Sequence, residues 1–87
     1  MKIQQVSAEA IEVAKKFLGQ GNMVSSAKVA LKDAEAVFKM AAYWSAAQRA
    51  LVSLSYSVGV QHPTYIEIKA NIRQASLQDQ TTQQATP

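Results

Sequence analysis

The chain has 87 residues, enough for one domain near the size at which a single core only just suffices. Apolar residues make up 48% of it and lean on alanine, while 17% are charged, the balance of a globular protein. The net charge of +3 comes from nine Lys and Arg dispersed among six acids, and cysteine is absent. No cationic face of the kind a dedicated nucleic-acid binder clusters is therefore built, and disulfide frameworks and thiolate metal sites are excluded.

Met1 to Val6 reads as a short lead-in without the apolar core of a signal peptide. Ser7 has the place of an N-cap, with Val6 and Ile11 spaced as a hydrophobic staple. The stripe Ala10, Ile11, Ala14, Phe17, Leu18 predicts a first helix over about residues 8–19, and Glu12 and Lys16 form an (i, i+4) pair. Gly19, Gly21 and Asn22 end it, because these residues tolerate the left-handed conformation.

Ser25 or Ser26 is placed to cap a second helix. Val24, Ala27, Leu31, Ala34, Phe38 and Ala41 recur at spacings of three and four, the seam of packed helices. Lys28, Lys32, Glu35 and Lys39 form its solvated face. Met40-Ala41-Ala42-Tyr43, with neither glycine nor proline, predicts a short junction and an antiparallel hairpin.

The third segment, Tyr43 to Val60, is apolar or small nearly all round. Trp44, Ala47, Leu51, Leu54 and Val58 form its main stripe, expected in the core. Ala46, Ala50, Ser53 and Ser57 form a stripe of small side chains that admits a close neighbour. Val52 and Tyr56 lie between the two, and Arg49 is the segment's single charge. A helix of this character is normally buried all round. A membrane span is set aside because Arg49 near its centre costs about 2.5–3.5 kcal/mol on insertion scales.

Gly59 suits a helix end, and Pro63 suits the start of the next helix. Residues 64–70 alternate like a strand, yet Tyr65, Ile68, Ile72 and Ala75 make a helical stripe. A lone strand has nothing to pair with, so a fourth helix to about Leu77 is favoured. Residues 1–77 thus form a single helical domain, and residues 78–87, polar and aperiodic, read as a disordered C-terminal tail.

Catalytic signals are missing. His62, the single histidine, precedes a proline in a turn, where the expected role is structural, capping a helix end or donating to a carbonyl. No His/Cys/Asp cluster suits zinc, Asp33 and Glu35 do not share a helix face, and GQGN ends a helix where a phosphate loop opens one. No catalytic, cofactor-binding or metal-binding residues are assigned, and no enzyme activity is expected.

The stretch AEAVFKMAAYWSAAQRALVSLSYSVGVQHPTY resembles a tetratricopeptide helical hairpin over about one repeat, residues 28–63. Ala34, Ala41, Tyr43, Ala46 and Ser53 stand where that pattern has small, small, aromatic, small and small. The ending GVQHP resembles the Gly-x-x-His-Pro close of the kinesin-light-chain type. Glycine is missing from the inter-helix turn, where Ala41-Ala42 stand, and the second helix is about a turn short for that type. A similar alternation occurs in HEPN-type bundles, but Arg49 and His62 are too far apart for their ribonuclease motif.

The fold expected is all-α: four short helices as two antiparallel hairpins, tetratricopeptide-like or a small bundle. Covering every side of the third helix with two other short, alanine-rich helices is not achievable, so a partner is expected on Tyr43, Ala46, Ala50, Val52 and Tyr56. That partner is a second copy or another protein, which makes the chain an adaptor, chaperone or oligomerisation module of the cytoplasm, with no membrane association. The alternative is a small basic nucleic-acid-associated regulator using Lys28, Lys32, Lys39, Lys69 and Arg73. Salt dependence separates the two, since phosphate binding weakens steeply with salt.

Overall fold

The computed structural model describes the backbone of residues 2–85 and the side chains of residues 2–78. It holds four helices, α1 (Ile3–Phe17), α2 (Val24–Lys39), α3 (Tyr43–Val58) and α4 (Pro63–Ala85), and no strand among the described residues. Together they form a small all-helical bundle. Helix α3 lies at its centre, against α1, α2 and α4, while α2 and α4 do not meet.

The stripes read from the sequence are the faces that pack. Ala10, Ile11 and Ala14 of α1, Ala27, Leu31 and Ala34 of α2, Ala47, Leu51 and Leu54 of α3, and Ile68, Ile72 and Ala75 of α4 are all buried. The 64–70 segment is helical throughout, as the Tyr65–Ile68–Ile72 spacing requires. Buried alanines are the commonest core side chain, so the helix axes approach closely and each contact excludes little water.

Helices α2 and α3 form the antiparallel hairpin that the short junction implies. Its turn is a Schellman motif: the Ala42 N–H donates to the Val37 carbonyl and the Ala41 N–H to the Phe38 carbonyl, each at 2.9 Å. Ala41 takes the left-handed conformation, φ 63°, at the position where glycine normally stands. Alanine therefore does glycine's work in this turn, at some cost in strain.

Helix α1 crosses the hairpin. Lys15 on α1 bridges Glu12 one turn back, at 3.8 Å, and Glu35 on α2, at 3.5 Å. Just past that end of α1, the following loop rests on the end of α3: a Cβ on Gly21 would lie 2.9 Å from the Ser57 carbonyl oxygen. Helix α4 begins nearby, where the Phe17 and His62 rings meet edge to face with centroids 5.6 Å apart.

Four expectations are corrected. Ser7 is not an N-cap: α1 starts at Ile3, and the buried Ser7 hydroxyl donates to the Gln4 carbonyl at 2.9 Å inside the helix. Ile3 and Val6 pack on the core, and tertiary packing extends a helix past a local cap signal. Ser25 and Ser26 likewise fall inside α2, which follows Met23 and has no side-chain cap. Glu12 pairs with Lys15 rather than Lys16, because Lys15 also faces Glu35. Trp44 is not a core residue: it is 45% exposed in the first turn of α3.

The backbone of α4 continues to Ala85, beyond the expected end near Leu77. The expectation of a tail that packs on nothing falls mostly on side chains outside the described residues.

Candidate functional site

His62 is the natural place to look for chemistry, and it is occupied with structure. Its Nδ1 accepts a hydrogen bond from the Thr64 N–H at 3.1 Å, capping the first turn of α4 just before Pro63. Its ring is packed on Phe17. Among the described residues no group of three His, Cys, Asp or Glu side chains could hold a metal ion. Among the described residues no helix is long and apolar enough to cross a membrane.

The small-residue stripe of α3 is consumed within the chain. Ala46 and Ala50 are fully buried, so no partner reaches them. Ser53 is buried as well, and its hydroxyl donates to the Ala27 carbonyl of α2 at 2.7 Å. Ser57 donates to the Ser53 carbonyl at 3.3 Å. The close neighbour that the small stripe calls for is the chain's own helix pair. Tyr43 is half-buried and spends its ring on Phe38, edge to face, with centroids 5.0 Å apart across the hairpin.

Val52 and Tyr56 remain uncovered. They lie one turn apart on the outer side of α3, and Val29 of α2 faces them across a shallow cleft of about 380 Å³. Ser25, Ser26 and Asp33 complete its polar edge. Val29 is the most exposed of the three apolar side chains, at 62%. The sequence reading missed it, because it stands next to Lys28 on what reads as the solvated face. An apolar residue outside the seam of an otherwise charged face was the available signal.

A second uncovered region runs along α4 and reaches the first half of α3. A cleft of about 820 Å³ runs along α4 past Val60, Ile66 and Leu77, and a smaller one of about 270 Å³ continues to Trp44 and Gln48 of α3. Lys69, Arg73 and Leu77 line both. Of its lining, the sequence reading singled out Lys69 and Arg73, as part of the alternative nucleic-acid-associated regulator, and it did not see the groove itself.

The geometry thus defines a class: a small all-α bundle presenting two uncovered apolar regions. No protein-family model matches the chain, and no curated protein and no solved structure matches it.

Proposed function

We propose that the chain is a cytoplasmic protein–protein interaction module, of the adaptor, chaperone or oligomerisation type, binding through the outer face of the α2–α3 hairpin. The observation that carries this reading is the cluster of Val29, Val52 and Tyr56, exposed together on helices whose other faces are buried. An apolar cluster rimmed by polar residues, here Ser25, Ser26 and Asp33, is the common form of an interaction site. Covering it is worth roughly 1.5–3 kcal/mol for a valine side chain, with a comparable share from the tyrosine ring.

A tetratricopeptide-like character for the α2–α3 pair is part of the proposal. Its supports are the small-residue seam, the left-handed Ala41 in the turn and the Gly59–His62–Pro63 close with His62 as cap. The partner is a second copy or another protein, and no catalytic step is assigned. Lys28, Lys32 and Lys39 lie exposed on α2 with Asp33 among them, which favours a solvated face over a phosphate track.

Light scattering across a concentration series tests the reading, comparing the wild type with Val52→Asp. The wild type is expected to self-associate, or to capture a protein that Val52→Asp does not, with unchanged helical circular dichroism. A wild type that stays monomeric at high concentration and captures nothing that Val52→Asp loses sinks the proposal.

A further inference from the structure

Helix α4 carries two apolar stripes, and the bundle uses one. Ile68, Ile72 and Ala75 face inward and are buried. Ile66, Ala70 and Leu77 form the other, at spacings of four and seven, and all three are exposed. The second stripe follows the spacing of a helix seam, with Arg73 at its intervening position. Val60 stands at one end of the groove beside it and Trp44 at the other, both exposed.

The charge along the groove has one sign. Lys69 and Arg73, one turn apart on α4, line both of its clefts, and among the described residues no Asp or Glu lines either. Among the described residues neither cation is paired with a carboxylate. Elsewhere the chain interleaves its charges, as with Lys15 between Glu12 and Glu35. A groove for a polynucleotide tracks the backbone with a succession of cations, whereas two cations inside a mainly apolar trough fit a helix with one apolar stripe and acidic flanks.

We propose that the groove along α4, closed at one end by Trp44 of α3, receives an acidic amphipathic helix of a partner protein. The partner's apolar stripe lies on Ile66, Ala70 and Leu77, and its carboxylates meet Lys69 and Arg73. Trp44 closes one end of the site. A second copy of this chain is a poor occupant, because it brings net positive charge to a positive groove. The inference does not rest on the α2–α3 face, and the two surfaces are separable by mutation.

Trp44 is the chain's single tryptophan, so its emission reports on the groove without a label. The probe is a synthetic helical peptide of about five turns with leucines at a seam spacing and glutamates on both flanks. Saturable blue-shifted emission is expected, weakened about tenfold in the Lys69→Glu, Arg73→Glu double variant and several-fold by raising salt from about 0.05 to 0.5 M. The same peptide with lysine for each glutamate is expected not to bind, and Val52→Asp is expected to bind as wild type does. Both substituted cations are exposed, and circular dichroism verifies that the double variant is folded. Equal binding by the double variant, by the lysine peptide, or at high salt overturns the proposal. So does a single-stranded oligothymidylate that shifts Trp44 emission at equal or lower concentration. A shift on concentrating the protein alone also overturns it, by showing that a second copy fills the groove.

Discussion

The Ser53 hydroxyl of α3 donates to the Ala27 carbonyl of α2 at 2.7 Å, a buried hydrogen bond from one helix of the hairpin to the other. It fixes the register of the hairpin, because a slip of either helix leaves the hydroxyl buried without a partner. Ser53→Ala is expected to cost about 1 kcal/mol. Ser53→Val, which removes the donor and adds bulk and a branch at Cβ to a close-packed seam, is expected to cost about 1–3 kcal/mol more. Urea denaturation followed by circular dichroism measures both; equal stability of all three proteins would show that the bond contributes nothing net.

Ala41 invites a stabilising change. Its left-handed backbone is strained for alanine and unstrained for glycine. Ala41→Gly is expected to raise stability by about 0.5–1 kcal/mol, and Ala41→Val to lower it by at least about 1 kcal/mol. Thermal melts resolve this, since 1 kcal/mol moves the midpoint by roughly 4–8 °C in a domain of this size. A lower midpoint for the glycine variant would contradict the turn geometry.

Gly21 and Gly59 both have positive φ, but only Gly21 is closely approached. A Cβ there would meet the Ser57 carbonyl oxygen at 2.9 Å and the Tyr56 carbonyl oxygen at 3.3 Å, whereas Gly59 has open space. Gly21→Ala is therefore expected to cost about 2–3 kcal/mol, against about 1 kcal/mol for Gly59→Ala, where strain acts alone. Equal losses in a denaturant series would mean that the α1–α2 loop does not rest on α3.

Ala50 and Val52, two residues apart on α3, are expected to respond oppositely to a carboxylate. Ala50→Glu forces a charge into a fully buried seam and is expected to abolish cooperative unfolding, because burying an unpaired charge exceeds what a small domain can offset. Val52→Asp changes an exposed side chain and is expected to leave monomer stability within about 0.5 kcal/mol. A folded Ala50→Glu protein would place that seam at the surface after all.

Periodicity made the four helices and most of the core legible, since the 3.6-residue repeat of Leu31, Leu54, Ile68 and Ile72 is the core itself. It also located Val52 and Tyr56, which no helix of the chain covers. The positions it misread depend on what lies nearby in space. The small stripe at Ala46 and Ala50 announces a close neighbour, but nothing in its composition distinguishes a partner from the chain's own α2. Trp44 continues the main stripe by spacing, yet it stands in the first turn, where its helix runs out of cover. Ala41 in a left-handed turn contradicts its own propensity, and only the closing of the hairpin imposes it. The groove beside α4 stayed hidden because Ile66 and Ala70 look like a departure from the Ile68–Ile72 stripe rather than a stripe of their own.

The central position of α3 has a consequence for how the chain is made. The apolar face of α1, Val6, Ala10, Ile11 and Ala14, finds its cover chiefly on α3, with α2 contributing less. During synthesis the N-terminal helix therefore emerges with its sticky side unprotected, and it stays so until residues near Val58 have cleared the ribosome. By then the hairpin of α2 and α3 has a turn of only three residues to close, and is the faster of the two to assemble. Helix α1 is thus among the last parts of the bundle to settle.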